Sequence, residues 1–269
     1  MSTRFIIILG LFFFKEGIAQ PKSPVGKKVI LTIEMKTNME NADPLQPSES
    51  KLSSLITTVN TITEADDKTV GMDVYIKRLA GSKTFGETLQ TYDTDDGATL
   101  YHPALRDYLP ILNKSAVLVF KEDKIQQKEI PLLDKMAAFS GNTGIFDEYR
   151  ELILTNMPGN LTAGYHWTKR SKQDNLQREA NYSVTKITDT SIEVNGIIGV
   201  NGNRTVISNG SKNKIQLDGK IQMTAYYDPA TFLLKKANYQ AESTIKEEAG
   251  HSIRNFIAHS TRVYSVKAD

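Results

Sequence analysis

Apolar and polar residues alternate along most of this chain. The alternation is clearest from Asn213 to Tyr227, where apolar residues occupy nearly every second position. A period of two sends successive side chains to opposite faces of a β-strand and therefore predicts a half-buried strand. The same pattern recurs from Lys28 to Met39 and from Thr69 to Arg78, with turn sequences between the runs. We predict a mainly β fold, consisting of one large curved antiparallel sheet or an open barrel.

One segment has the periodicity of a helix. Between Ile145 and Met157, apolar residues recur every three or four positions and form a single stripe. The stripe consists of Ile145, Phe146, Tyr149, Leu152, Ile153 and Met157, and the outward-facing residues are Asp147, Glu148, Arg150 and Glu151. We expect this main helix, with several short helices that include Pro103 to Leu112 and Leu132 to Phe139, to cover the apolar face of the sheet.

The start of the chain has the composition of a secretory signal peptide. A positive charge precedes an apolar run from Phe5 to Phe14, and the small residues Gly17 and Ala19 precede a cleavage point before Gln20. The run is shorter than the ~20 apolar residues of a spanning helix, and no run of spanning length follows it. We predict that residues 1–19 are removed on export and that the mature chain is periplasmic or extracellular, with no membrane span.

The remaining residues, 20–269, are predicted to form one β-rich domain. Within it, the run from Val59 to Val74 resembles the run from Val184 to Gly196 once two or three turn residues are removed. Amphipathic hairpins resemble one another in many β proteins, so the pattern is compatible with one continuous unit or with two similar halves. The proposed halves span about 28–130 and 165–266, and the helical segment that joins them spans 131–164.

The composition argues against several kinds of partner and chemistry. The net charge is +2 over 269 residues, which provides no electrostatic basis for binding nucleic acid. The chain has no cysteine, so disulfides, thiol catalysis and cysteine-ligated metals are excluded.

No motif in the sequence points to catalysis, a metal or a cofactor. The four histidines are His102, His166, His251 and His259, and no two have the spacing of a zinc-binding pair. The acidic run from Tyr92 to Gly97 lacks the glycine and glutamate positions of a calcium-binding EF-hand loop, so we expect a solvated turn. Nucleophile elbows and phosphate-binding loops are also missing. We therefore expect a protein that is not an enzyme and binds no metal or cofactor.

Two segments resemble a family of uncharacterised secreted bacterial β-proteins. The first is Leu161 to Trp167 (LTAGYHW), and the second is Gly219 to Asp228 (GKIQMTAYYD), which continues into Phe232 to Lys236 (FLLKK). At the level of fold, this family resembles the open half-barrels of periplasmic lipoprotein carriers and related lipid-binding proteins. The resemblance implies a half-barrel with a ligand-binding concave face, and it assigns no functional residues.

The expected function is that of an exported, non-enzymatic binding protein that holds an apolar small molecule or a lipid on the concave face of the sheet. Candidate residues for the cavity or for a helical lid are Val70, Met72, Val74, Ile145, Phe146, Tyr149, Trp167, Ile221 and Met223. The alternative is a structural or protein-interaction module of the cell envelope, with a closed core and an envelope protein as its partner. An apolar cavity of roughly several hundred Å³ favours the binding protein, whereas a filled core with a large exposed apolar patch favours the alternative.

Overall fold

The structure, a computed structural model, describes most of the chain after the predicted signal peptide. The described residues are 22–42, 49–66, 68–85, 88–106, 108–121, 124–128, 151–155, 157–158, 160–173, 175–208, 211–249 and 252–268. The predicted signal peptide, residues 1–19, lies outside them.

Within the described residues, twelve β-strands form one antiparallel sheet. The strands are β1 (Lys28–Asn41), β2 (Glu49–Ala65), β3 (Thr69–Phe85), β4 (Thr88–Asp93), β5 (Ala116–Lys121), β6 (Lys124–Lys128), β7 (His166–Gln173), β8 (Asn175–Thr188), β9 (Ser191–Ser208), β10 (Ser211–Tyr227), β11 (Leu234–Ala249) and β12 (Ser252–Ala268). Eleven strands follow one path, in the order β6-β5-β3-β2-β1-β12-β11-β10-β9-β8-β7, and β4 pairs with β3. Since β6 and β7 are the two ends of this path, the sheet is open. The prediction of a mainly β fold with one large antiparallel sheet is confirmed.

Pairing between the first and last strands makes the sheet continuous. Strand β1 pairs with β2 on one side and with β12 on the other, so that Ile33 lies between Ile56 and Tyr264. A hydrogen bond of 2.9 Å between the hydroxyl oxygens of Thr37 and Ser260 adds a side-chain link between β1 and β12. The strands of the N-terminal and C-terminal parts of the chain therefore share one hydrogen-bonded network. The duplication of two similar halves stays a prediction.

The alternation of residue types separates an apolar face of the sheet from a polar face. In β10, Met223 and Ala225 are buried, while Gln222 between Ile221 and Met223 is exposed. Met223 is paired with Gly196 in β9 and Tyr239 in β11, and all three lie on the apolar face. A Cβ atom at Gly196 would come within 2.9 Å of the ring of Tyr182, so glycine leaves room for that ring to pack. One-sided alternation is thus enough to place the core on one face.

The structure corrects the prediction of a main helix where it can be compared. Residues 151–155, which belong to the predicted helix, form a turn and an isolated antiparallel bridge between Ile153 and Leu233. The backbone N–H of Leu154 donates to the carbonyl of Phe232 at 3.0 Å, and that of Leu234 donates to Leu152 at 2.8 Å. Pairing with the chain before β11 satisfies these backbone groups in place of helical hydrogen bonds. The predicted helical residues 145–150 lie outside the described part.

The prediction of several short helices is not borne out by the described residues. The segment from Pro103 to Leu112 contains two 3₁₀ turns, Pro103–Leu105 and Leu109–Ile111, in place of a helix. Pro110 lies within the second turn, where its missing N–H prevents continuation of an α-helix from the preceding residues. The other predicted short helix, Leu132 to Phe139, lies outside the described residues. No helix in the described ranges is long and apolar enough to cross a membrane.

The described loops cover part of the apolar face. The buried cover residues come from four segments of the chain and include Leu105, Leu152, Leu154, Leu161 and Phe232. They form one hydrophobic core together with inward side chains of the sheet, such as Met72 in β3, Val194 in β9 and Tyr264 in β12. At this end of the sheet the core is filled.

Candidate functional site

The other end of the apolar face contains an open cavity of about 350 Å³. Strands β9, β10, β11, β12, β1 and β2 contribute to its walls. Its larger apolar lining residues include Leu52, Val200, Ile215, Leu217, Ile245 and Phe256. We call this space the open cavity.

The open cavity is a continuation of the core along the same strands. In β10 the exposure rises from 3% at Met223 to half-buried at Ile221, Leu217 and Ile215, although all four residues point to the same face. The pattern of residue types is therefore unchanged, and what changes is the cover that the described loops provide. Half-buried isoleucine and leucine side chains in one continuous patch are typical of a binding surface.

A row of small side chains at the base of the open cavity leaves space above the sheet. Gly219, Ser243 and Ala258 are aligned across β10, β11 and β12, because Gly219 is paired with Ser243 and Ser243 with Ala258. A Cβ atom at Gly219 would come within 2.9 Å of the Cβ of Ser243. Larger residues along this row would fill part of the space between Ile221 and Leu217.

Three lining residues of the open cavity carry a charge: Glu242, which is exposed, and Arg262 and Glu247, which lie at opposite ends. Arg262 is at the inner end, where it is paired with Met35 in β1 and Tyr239 in β11. Glu247 is at the outer end, where its carboxylate accepts a hydrogen bond of 2.7 Å from the side-chain amide of Asn213. The lining is thus mostly apolar, with a few polar groups at defined positions, as in many small-molecule sites.

A buried polar cluster lies within the core, and one of its members, Tyr239, is paired with the cavity residue Arg262. The carboxylate of Glu151, which is 6% exposed, accepts hydrogen bonds from Arg178 (2.8 Å), from Tyr239 (2.8 Å) and from Tyr182. The hydroxyl of Tyr227 donates to the backbone carbonyl of Glu151 at 3.1 Å. We call these five residues the Glu151 cluster.

Electrostatics keep the carboxylate of Glu151 ionised. Burial acts to raise its pKa, but the charge of Arg178 and the hydroxyl of Tyr182 outweigh it, so that the pKa is lowered. Burial and the nearby charge of Glu151 raise the pKa values of Tyr182 and Tyr227 well above the usual value. At neutral pH, these tyrosines are therefore hydrogen-bond donors to a charged acceptor. The Glu151 cluster is suited to holding the loop 151–155 on the sheet.

The sequence interpretation assigned Glu151 to the outward face of a helix, and the structure shows it buried. The sequence around a single glutamate does not show whether its side chain is buried. Tyrosines at apolar-face positions of the strands could have indicated a buried polar partner, because a buried tyrosine hydroxyl needs a hydrogen-bond partner. Tyr182 and Tyr239 both lie at apolar-face positions of their strands, and both bind this carboxylate.

The predicted site residues occupy different environments. Val70, Met72, Val74 and Met223 are buried in the filled core, at exposures of 3% or less. Ile221 alone among the predicted residues that the structure describes lines the open cavity. Trp167 is half-buried, and its indole stacks on Tyr182, with ring centroids 5.1 Å apart. The predicted lid residues Ile145, Phe146 and Tyr149 lie outside the described part of the chain.

In the acidic run after β4, the carboxylates of Asp93 and Asp96 accept hydrogen bonds from nearby protein groups. The guanidinium of Arg78 donates to Asp93 from Nη2 at 2.5 Å and from Nε at 3.1 Å. The side chain of Asp96 accepts from the backbone N–H of Ala98 and from the hydroxyl of Thr99. In the described ranges, no group of three or more histidine, aspartate or glutamate side chains has the geometry to hold a metal ion.

Comparison with known proteins relates this chain to others only at the level of fold. No protein-family model and no curated protein matches it. A solved structure of lipovitellin, which concerns lipid–protein interactions, matches 90% of this chain with a TM-score of 0.54 and 10% sequence identity. The match covers 25% of the lipovitellin chain, so this protein corresponds to about a quarter of that molecule. The likeness is one of sheet architecture.

A second similar structure is an outer membrane channel from Pseudomonas putida F1. It matches 92% of this chain and 98% of its own chain, with 6% sequence identity. Its TM-score is 0.29, which is too low to indicate a common fold.

Proposed function

We propose that this protein is an exported, non-enzymatic binding protein that holds an apolar or lipid-like ligand in the open cavity. The observation that supports the proposal is the half-buried apolar patch at the end of the sheet that none of the described loops covers. It encloses about 350 Å³, which lies within the range of roughly 300–1,000 Å³ for small-molecule sites.

Two further features support a lipid-like ligand. Alternate residues of β10 from Ile215 to Ile221 line the cavity, so an apolar strip of about 20 Å runs along this strand. An elongated apolar surface matches the shape of an acyl chain. The fold likeness to lipovitellin, whose solved structure concerns lipid–protein interactions, adds the same ligand class as a hypothesis.

Binding of the neutral apolar probe N-phenylnaphthylamine to the purified protein tests this proposal. We expect saturable binding that Leu217→Glu weakens about tenfold or more, because a charge would be placed on the apolar lining. Gln216→Glu is the matched control, since Gln216 is the preceding residue of β10 and is exposed on the polar face. It should leave probe binding unchanged.

Two results would contradict the proposal. One is a lack of saturable binding to the wild-type protein, and the other is equal binding by both folded variants. The alternative of an envelope interaction module predicts the first result, together with co-purification of a protein partner that Leu217→Glu disrupts.

A further inference from the structure

The two carboxylates among the described lining residues of the open cavity are stabilised without a ligand. Glu247 accepts a hydrogen bond of 2.7 Å from Asn213, and Arg254 lies directly opposite it in β12. Glu242 is exposed at a polar-face position, where Lys220 lies directly opposite it in β10. Each carboxylate thus has a donor or water to satisfy it. Neither of them requires a cationic group on a ligand.

The cationic and hydroxyl groups of the lining also interact within the protein. Arg262 is the single described lining residue with a cationic side chain, and it already interacts with another group of the protein. The hydroxyls of Thr37 and Ser260 form a hydrogen bond of 2.9 Å with each other. Ser243 carries a further hydroxyl, which is uncharged and lies in the row of small residues. An anionic ligand group would therefore find no unpaired cation in the described part of the lining.

A charged head group inside the open cavity would have to lose its hydration. Apolar side chains, among them Val200, Leu217 and Phe256, form most of the walls. Transfer of an ion from water to such surroundings is strongly unfavourable unless the site supplies a counter-ion and hydrogen bonds. An uncharged ligand avoids this cost, and the apolar strip from Ile215 to Ile221 provides the length for an extended hydrocarbon chain.

On the basis of the proposed function above, we infer that the ligand of the open cavity is an uncharged lipid, such as a fatty-acid ester. Its hydrocarbon chain lies along Leu217 and Ile221 of β10, two of the apolar residues that line the cavity. Fatty-acid anions and cationic amphiphiles bind more weakly, because their head groups gain no new partner in the lining. The inference narrows the ligand class from apolar or lipid-like molecules in general to those without an ionised head group.

Displacement of N-phenylnaphthylamine from the purified protein by three ligands of equal chain length tests the inference. At neutral pH, methyl decanoate is uncharged, decanoate is anionic and decylamine is cationic. Methyl decanoate should displace the probe at a concentration roughly tenfold lower than either ion, because each ion loses hydration without gaining a partner. If either ion is as effective as the ester, or if the ester does not displace the bound probe, the ligand class is wrong while the proposed function stands. If the probe itself does not bind saturably, the proposed function fails.

Leu217→Lys adds an unpaired cation to the lining and should reverse the order, so that decanoate becomes more effective than methyl decanoate. Gln216→Lys is the matched control, since it adds the same charge at the preceding, exposed position of β10, and it should retain the wild-type order. An unchanged order in folded Leu217→Lys would show that the charges of the lining do not select the ligand, and it would overturn the inference. The comparison of the three ligands on wild-type protein decides the inference even if Leu217→Lys does not fold.

Discussion

At the scale of single residues, Glu151 fastens a loop to the sheet. Its side chain and backbone contact residues of three strands: Tyr182 and Arg178 in β8, Tyr227 in β10 and Tyr239 in β11. Arg178 is itself only 15% exposed at its side chain. A buried pair of this kind adds little stability compared with apolar residues, but removal of one partner leaves an uncompensated buried charge.

The first prediction concerns this pair. Glu151→Gln should lower the free energy of unfolding by about 3–5 kcal/mol at neutral pH, because the buried ion pair between Glu151 and Arg178 is broken. Urea unfolding followed by circular dichroism measures the change. Glu179→Gln is the control, since its salt bridge with Arg170 joins side chains that are 50% and 76% exposed, and it should change stability by less than ~1 kcal/mol.

The loss of stability caused by Glu151→Gln should also depend on pH. The pKa of Glu151 is lower in the folded protein than in the unfolded chain, where a glutamate titrates near ~4.3. Its ionised form therefore contributes stability above the unfolded pKa, and this contribution is lost as the pH falls through the folded pKa. The stability difference between wild-type protein and Glu151→Gln should shrink in this acidic range. A difference that stays constant from neutral pH to strongly acidic conditions would show that Glu151 is not the titrating group.

At the scale of elements, the alternation of residue types was sufficient to predict the strands. The prediction was successful where the alternation is unbroken, as from Asn213 to Tyr227, because a register shift by one residue would expose the core. Residues 151–155 were misassigned to a helix for a physical reason. Apolar residues at Leu152 and Ile153 fit a helical stripe, yet the three consecutive residues 152–154 are all buried. A bridge to Leu233 determines their conformation, and such a nonlocal contact leaves no periodic signal.

The candidate site was less predictable than the strands. Sequence patterns identify which residues face the apolar side, and Ile221 was named correctly as a residue that could line a cavity. Sequence patterns do not indicate which part of the apolar face the loops cover. Val70, Met72 and Val74 have the same alternation as the cavity residues, but they lie under cover in the filled core. Arg262 was missed because a single arginine in a strand is usually solvated.

The second prediction distinguishes the bridge from a helix. Leu154 is not part of the predicted helical stripe, and in the structure it is 7% exposed. Leu154→Ala should therefore lower the free energy of unfolding by about 2–4 kcal/mol, as expected for a buried leucine. Ile197→Ala is the control, because Ile197 is apolar but 53% exposed on the polar face, and it should change stability by less than ~1 kcal/mol. Equal, small effects of both substitutions would support the helix.

At the scale of the whole molecule, the pairing of β1 with β12 determines whether a destabilising substitution in one part of the sheet also affects the unfolding of the other part. The two strands are in register from Val29 with Ala268 to Asn41 with Phe256. This pairing lies in the middle of the strand path, with β3 and β5 toward one end and β8 and β7 toward the other. The core residues form a single cluster that includes both sides of it. Such an arrangement favours one cooperative unit over two independently folding halves.

The third prediction tests this cooperativity with Ile33→Ala. Ile33 is 4% exposed in β1, and its truncation should lower the free energy of unfolding by about 2–5 kcal/mol. The fluorescence of Trp167, the single tryptophan, reports on β7 at the far end of the sheet, whereas circular dichroism reports on all strands. If the sheet unfolds as one unit, the substitution shifts both urea transitions by the same amount, although Trp167 is separated from Ile33 by five strands along the path. If the fluorescence transition stays in place while the circular dichroism transition divides into two steps, the part of the sheet around β7 folds on its own, and two autonomous halves become the better description.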